Sequence, residues 1–316
     1  MTSPHDNTPA DPRVEAAREF ARPEPPGRHP HLIGILLMLV GLTLITSSDA
    51  VAKLMTEAMP VFQIMLFQAC GLVILAPLVA RRVNPLAILA TPDLKLQIVR
   101  SVCQLASGLS FYHGLKVLPF ADLVAILFIG PLVLTAMAHV VLGERAGPRR
   151  WAACAVGFAG ALVIARPGGG GMGWAALWPA AAVTFWSAYI IITRHISARN
   201  GTANLMLWAS LASLAVLAVV VVTVPGSWQM PQGWQWPALA AIALLSAASN
   251  GVTIRAFSIA PASLLAPFSY FEIVGATFYG YVIWHHFPDI WTWTGTAIIV
   301  AAGLYVYRRE AAAART

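Results

Sequence analysis

Residues 121–142 read ADLVAILFIGPLVLTAMAHVVL, a run in which Asp122 is the one acid and neither Lys nor Arg occurs. About 20 apolar residues of α-helix cross the roughly 30 Å hydrocarbon core of a bilayer. A helix on the surface of a soluble domain would instead alternate apolar and polar faces along its length. The stretch therefore predicts a membrane-spanning helix.

Similar apolar runs lie on both sides of this stretch. The predicted segments lie at about 32–54, 61–80, 96–115, 121–142, 151–166, 174–193, 203–224, 236–257, 262–284 and 291–307. The chain has 58% hydrophobic and 10% charged residues, whereas a soluble domain carries about 25% charge. The sequence therefore predicts an all-α membrane protein with about ten transmembrane helices.

The basic residues predict the orientation of these helices. The formal net charge of +7 does not indicate nucleic acid, because Lys and Arg cluster in short connections between the apolar runs. Cytoplasmic loops of membrane proteins carry an excess of Lys and Arg. If the N-terminus is in the cytoplasm, the cytoplasmic side also contains Arg81, Arg82, Lys95, Arg145, Arg149, Arg150, Arg194, Arg199, Arg308, Arg309 and Arg315. We therefore expect a multi-pass protein of the inner membrane, in contact with lipid and with both termini in the cytoplasm.

The chain also contains a weak internal repeat. An offset of 141 residues aligns Leu118-Pro-Phe-Ala-Asp-Leu123 with Ile259-Ala-Pro-Ala-Ser-Leu264. Because each half holds an odd number of predicted spans, the second half must be inverted relative to the first, as in many secondary carriers. The predicted organisation is a disordered cytoplasmic tail at 1–30, five-helix repeats at 31–166 and 174–307, a Gly-rich connector at 167–173 and a cytoplasmic tail at 308–316.

The repeat carries motifs of a known family. The stretch from Gly114 to Ala125, followed by Pro131, Leu142-Gly-Glu-Arg145 and Gly157-Phe-Ala-Gly-Ala-Leu-Val-Ile-Ala-Arg-Pro167, resembles the repeat unit of EamA-type carriers in the drug/metabolite transporter superfamily. Asp49-Ala-Val-Ala-Lys53 and Arg100 resemble the subgroup that contains S-adenosylmethionine and riboflavin uptake proteins. The resemblance implies ten helices in two inverted repeats and a central cavity lined mostly by spans 1, 3, 4, 6, 8 and 9.

Three charged residues within the predicted spans are the first site candidates, since an ionisable group near the bilayer centre costs about 2.5–3.5 kcal/mol on insertion scales. Glu272 is either a solute or proton site or a structural partner of Arg255 or Arg100. Asp49 and Lys53 have the i,i+4 spacing at which opposite charges meet on a helix. They form either a self-neutralising pair or part of a cavity.

Five further residues complete the predicted solute- or proton-binding set. Arg100 is placed to bind an anionic group of a solute, and His113 is either a proton relay or a hydrogen-bonded structural histidine. Asn250 is expected to bond a neighbouring helix or to line the cavity. Trp186 and Tyr270 are placed either to stack on a flat solute or to pack in the core.

No motif predicts an enzyme, a cofactor or a metal. Gly168-Gly-Gly-Gly171 is not followed by the Lys-Ser/Thr of a phosphate-binding loop, and the chain has no His-Glu-x-x-His or Gly-x-Ser-x-Gly motif. The sequence therefore predicts a secondary transporter of a small organic metabolite that works by alternating access, driven by protons or by exchange, with no indicated oligomer. An S-adenosylmethionine-like, a vitamin and an amino-acid-like solute all remain open as its cargo. An exporter of amino-acid-like metabolites or drugs with the same fold, a membrane-embedded enzyme and a scaffold protein are the alternatives.

Overall fold

The computed structural model describes residues 28–79, 93–142, 148–166, 172–196, 202–260 and 262–313. Every regular element in these ranges is helical, so the predicted all-α class is confirmed for the described part of the chain. The predicted tail at 1–30 and connector at 167–173 lie largely outside these residues.

The helices follow the predicted apolar runs, but two runs are interrupted. In the first half they are α1 Arg28–Ala58, α2 Val61–Val79, α3 Leu94–Val117, α4 Phe120–Leu127, α5 Gly130–Leu142 and α6 Pro148–Ala165. In the second half they are α7 Leu177–Ile196, preceded by a 3-10 turn at Gly173–Ala176, then α8 Thr202–Thr223, α9 Gln235–Ile259, α10 Ala262–Leu265, a 3-10 segment at Ala266–Phe271, α11 Glu272–Trp284 and α12 Ile290–Ala313.

Within the described residues, four helical segments are long and apolar enough to cross a membrane. They are Leu32–Ala58, Phe120–Val141, Gly173–Ile196 and Gln235–Ile259, and shorter apolar helices lie within α2, α6, α8 and α12. The third predicted span is in neither group; its helix α3 carries Arg100, Gln104 and His113 among its apolar residues. The ninth is also in neither group; it is broken before Glu272.

Contacts between the two halves occur in matched pairs. The packing of α1 on α9 is matched by the packing of α3 on α7. In the same way, the contact between α2 and α9 is matched by the contact between α8 and α3. The contacts between α2 and α8 and between α6 and α12 each join two helices at the same position in the two halves. This pattern is expected when two copies of one five-span unit are related by an approximate two-fold axis.

Small residues allow some of these helices to approach each other closely. A Cβ atom on Gly160 of α6 would lie 2.9 Å from the carbonyl oxygen of Gly295 in α12. A Cβ atom on Gly71 of α2 would overlap the backbone of Ala243 in α9. Helices in membranes associate through such close backbone approach, because lipid supplies no hydrophobic drive between them.

Candidate functional site

A cavity of about 520 Å³ lies between the two halves. Its wall comes from α1, α2, α3, the α4–α5 junction, α7, α8 and the start of α11 with the 3-10 segment before it. The polar side chains on this wall are Asp49, Gln68, Gln104, Ser107, Tyr112, Ser210, Ser213, Ser269, Tyr270 and Glu272. Spans 2 and 7 thus line the cavity in addition to the spans expected from the resemblance, and α9, the eighth span, contributes no lining residue among those described.

Two acids from opposite halves face this cavity. Asp49 in α1 is 5% exposed, and Glu272 is the first residue of α11. They lie close enough for their charges to repel each other. Among the described residues, neither carboxylate has a recorded hydrogen bond or ion pair, and no Lys or Arg lines the cavity. The described wall of the cavity is therefore acidic.

The position of Glu272 follows from a break in its helix. The 3-10 segment Ala266–Phe271, which has Pro267 at its start, separates α10 from α11. Proline cannot donate a backbone hydrogen bond inside a helix, so the chain leaves α-helical geometry here. Glu272 then lies in the first turn of α11, where the helix dipole favours a negative charge.

The first half is broken at the matching place. Helix α4 ends at Leu127, and α5 begins at Gly130, which is followed by Pro131. The offset of 141 residues aligns Pro131 with Glu272. The two breaks contact each other, since the rings of Phe128 and Tyr270 meet edge to face at 5.1 Å. Both halves therefore contribute an interrupted helix to the cavity.

Two polar atoms in the wall have no partner among the described residues. They are Oε1 of Gln104 and the hydroxyl oxygen of Tyr112, both on α3. Tyr112 is 2% exposed and lies within Coulombic range of Asp49. A buried polar atom without a partner costs about 1–3 kcal/mol, so both atoms are suited to bond a solute or an ion. Sequence reasoning missed Tyr112, although it lies eight residues after Gln104 and so two helical turns away on the same face.

Aromatic rings form another part of the wall. Trp186 of α7 lines the cavity and is 47% exposed. Its indole stacks on the ring of Tyr189, with 5.0 Å between the centroids. Tyr270 and Phe111 also line the cavity. A wall that combines flat rings with a few polar groups is typical of sites for small organic ligands.

Lys53 bonds to backbone and not to Asp49 or the cavity. Its Nζ donates to the carbonyl oxygens of Leu115 at 2.6 Å and Leu118 at 2.7 Å. These carbonyls are at the C-terminus of α3, where the helix itself provides no donors. The ammonium also lies over the ring of Trp284, 5.4 Å from its centroid. Lys53 therefore joins α1 to the ends of α3 and α11.

Arg100 is fully buried outside the cavity. Its guanidinium donates to Oε1 of Gln97 at 3.0 Å and to the backbone oxygen of Leu205 at 2.5 Å. It also donates to the hydroxyls of Tyr189 and Thr193, each at 3.4 Å. These partners lie on α3, α7 and α8. Arg100 thus ties three helices together, and no contact with Glu272 is recorded.

The remaining predicted residues divide between the cavity and the surroundings. Asp49, Trp186, Tyr270 and Glu272 line the cavity together. His113 and Asn250 lie outside it. Nδ1 of His113 is 2.7 Å from the carbonyl oxygen of Leu109, and the imidazole ring stacks on Trp178. Asn250 lies on an exposed face of α9 and donates to the carbonyl oxygen of Ser246. The structure therefore brings four of the eight predicted residues together.

A family model matches nearly all of the described chain. The model of the EamA-like transporter family matches residues 32–166 and 173–308. The chain belongs to the EamA-like transporter family. The two matched stretches correspond to the two packed halves, each with one broken helix.

Curated relatives of this EamA-like chain are transporters by name. A riboflavin transporter of Rhizobium johnstonii is 30% identical over 203 residues, which cover 62% of this chain and 65% of the relative. A riboflavin transporter of Vibrio cholerae is 27% identical over 59% of this chain and 62% of its own length. An S-adenosylmethionine uptake transporter of Rickettsia bellii is 25% identical over 88% of this chain and 94% of its own length. The matches to the two riboflavin transporters thus span less than two thirds of those proteins.

The fold also occurs in a solved crystal structure. That protein is 23% identical and superposes with a TM-score of 0.59, covering 87% of this chain and 98% of its own. The likeness supports the helical architecture described above.

Proposed function

We propose that this EamA-like protein is a secondary transporter of a small organic solute. In this proposal ten transmembrane helices cross the inner membrane as two inverted five-helix repeats, at 31–166 and 174–307, with both termini in the cytoplasm. The apolar helices and the one-sided distribution of Lys and Arg support this arrangement.

The cavity between the halves is the observation that carries the proposal. It combines a volume of about 520 Å³ with aromatic rings, two acids and polar atoms that have no partner among the described residues, whereas a scaffold protein would need no such cavity between its helices. Ligand sites in proteins have volumes of about 300–1,000 Å³ and the same mixture of apolar and polar groups.

Alternating access follows from the matched packing of the halves. The packing of α1 on α9 has a counterpart in the packing of α3 on α7. Exchanging the two sets of contacts would close the cavity on one side and open it on the other, as in carriers built from inverted repeats. The broken helices meet at the cavity and allow each half to bend there.

The cargo we propose is a solute with a planar ring, and riboflavin is the leading candidate. Three of the most similar curated relatives are named riboflavin transporters. The ring of Trp186 offers a stacking surface, and the carboxylates of Asp49 and Glu272 can accept hydrogen bonds from sugar-like hydroxyls. S-adenosylmethionine is the second candidate, because its cationic sulfonium suits a wall that has two acids and no described base.

Counterflow in proteoliposomes tests the proposal. Purified protein is reconstituted with unlabelled riboflavin or S-adenosylmethionine inside, and uptake of the same labelled solute is followed. We expect transient accumulation of one of them, absent from protein-free liposomes. If folded protein accumulates neither solute, the proposed cargo class is wrong.

A matched pair of variants locates the solute. Trp186→Ala should raise KM by about 2-fold to 10-fold, because aromatic stacking contributes about 0.5–1.5 kcal/mol beyond area burial. Trp174→Ala removes an indole that is 86% exposed and does not line the cavity, and it should leave KM unchanged. Equal effects of the two substitutions would place the solute elsewhere.

A further inference from the structure

We propose that Asp49, Glu272 and the hydroxyl of Tyr112 form a proton-binding site that couples solute movement to a proton gradient. The inference rests on the proposed transport function and adds the driving ion to it. In each cycle one proton would bind at a carboxylate oxygen from one side of the membrane and leave to the other side.

The first step of the argument is the arrangement of the two acids. They come from different halves of the protein, share one cavity and lie close enough to repel each other. Neither has a recorded partner among the described residues. Two carboxyl groups in one poorly solvated site cannot both stay ionised without a cost in free energy. A proton is the smallest cation that can neutralise one of the two carboxylates.

Tyr112 provides an independent indication of an ion-binding site. Its hydroxyl is buried, with the side chain 2% exposed, and has no partner among the described residues although it lines the same cavity. A phenol can donate to an ionised carboxylate and accept from a protonated one. The hydroxyl is therefore suited to both states of the acid pair.

The surrounding cations are engaged elsewhere. Lys53 donates to two backbone carbonyls at the end of α3, and Arg100 donates to four oxygens on α3, α7 and α8. Arg255 has an exposed side chain on α9. A fixed ion pair with a described base is thus not formed, and the charge of the acid pair can change during transport.

The titratable groups that face the acid pair are few. Helix α1 contributes Asp49, α3 contributes Tyr112, and the α10–α11 region contributes Tyr270 and Glu272. The described lining residues of α2, the α4–α5 junction, α7 and α8 are apolar, aromatic, amide or hydroxyl groups without an acid or a base. A pH response of the cavity should therefore come from the two carboxyls.

The site itself is tested without any solute. Infrared difference spectra of the purified protein between acidic and alkaline buffer should contain the C=O band of a protonated carboxyl. The band should be lost or shifted in Glu272→Gln and in Asp49→Asn, and shifted in Tyr112→Phe. Glu57→Gln is the matched control, because Glu57 lies two turns after Asp49 on α1, is exposed and does not line the cavity. This control substitution should leave the C=O band unchanged. A band unaffected by all three cavity substitutions overturns the proposal, and three variants are used so that one poorly folded protein does not decide the test.

Coupling is tested with labelled riboflavin and S-adenosylmethionine in proteoliposomes that carry a pH difference. With one proton per solute, a difference of one pH unit should change the steady-state concentration ratio by about tenfold. The ratio should fall to about one in Glu272→Gln, and Glu57→Gln should match the wild type. Counterflow of a solute that does not respond to the pH difference would overturn the proton site and leave the transport function standing. Absence of any counterflow would instead count against the transport function, with the infrared result still deciding the proton site.

Discussion

Replacement of Lys53 by Met tests whether this lysine stabilises the fold or binds the solute. In the structure the ammonium bonds the carbonyl oxygens of Leu115 and Leu118 at 2.6 and 2.7 Å. Both residues are buried, at 0% and 3% exposed, so their carbonyls would lose their donor without gaining water. Each buried carbonyl left without a partner costs about 1–3 kcal/mol.

The net change is smaller than the sum of these costs. Removing the lysine also removes the penalty for burying an ammonium group, and the apolar stem of Met fills much of the same space. Loss of the contact with the ring of Trp284 adds about 0.5–1 kcal/mol. We therefore expect Lys53→Met to lower the free energy of unfolding by about 2–4 kcal/mol, with a smaller loss in Lys53→Arg, which keeps the charge.

The assay is reversible unfolding in mixed micelles with increasing SDS, followed by tryptophan fluorescence. Counterflow by the same preparation gives KM, which should stay within about twofold of the wild type, because Lys53 does not line the cavity. If Lys53→Met unfolded at the wild-type SDS concentration but raised KM tenfold, the lysine would act on the solute, and the structural assignment would be refuted.

Three further substitutions test the packing and one helix end. Gly71→Ala should destabilise the protein by about 1–3 kcal/mol because its Cβ overlaps a backbone carbonyl. Gly251→Ala, in helix α9, should be neutral or stabilising by up to about 1 kcal/mol, because its Cβ meets no described atom within 4 Å beyond its own stretch of helix. Equal effects on SDS unfolding would contradict the packing. Asp289 accepts a hydrogen bond from the backbone N–H of Thr292 at 2.8 Å and so caps α12, and Asp289→Ala should cost about 1 kcal/mol. Burial acts to raise the pKa of Asp289, but the hydrogen bonds from Thr292 and the ion pair with the guanidinium of Arg166, at 2.6 Å, hold it below its ordinary value. The stabilisation by Asp289 should therefore be present above the ordinary carboxyl pKa and be lost as the pH falls through the lowered value. Equal acid dependence of unfolding in the wild type and in Asp289→Ala would show that Asp289 makes neither contact.

Segment lengths and composition predicted most of the fold. Apolar runs of about 20 residues can lie only in helices when they cross a membrane, because every backbone group must be bonded within the segment. The breaks at Phe128 and at the 3-10 segment before Glu272 were less visible. Proline and glycine indicate them, but many membrane helices tolerate these residues without breaking.

The charged residues show why the site was only partly predictable. The spacing of Asp49 and Lys53 predicts an ion pair, yet two carbonyls at the end of α3 bind the lysine. Arg100 was expected to face a solute, yet oxygens from three helices surround it. Gln97 is the one near partner of Arg100; its other partners and both partners of Lys53 are distant in sequence. A single sequence carries no information on which helices meet. Glu272, whose own helix offers no base within one turn, is among the four predicted residues that line the cavity.

The aligned breaks of the two halves differ in chemistry, since Pro131 lies where the other half has Glu272. If the two halves exchange their conformations, a solute therefore does not meet the same surroundings. One half has the carboxylate of Glu272 at its helix break, and the other has the pyrrolidine ring of Pro131. In the proposed alternating-access cycle, the inward-facing and outward-facing states would then differ in free energy, and we expect the empty protein to have a preferred resting orientation. A protein oriented uniformly in vesicles would show this bias as unequal half-saturation concentrations for one solute on the two sides of the membrane.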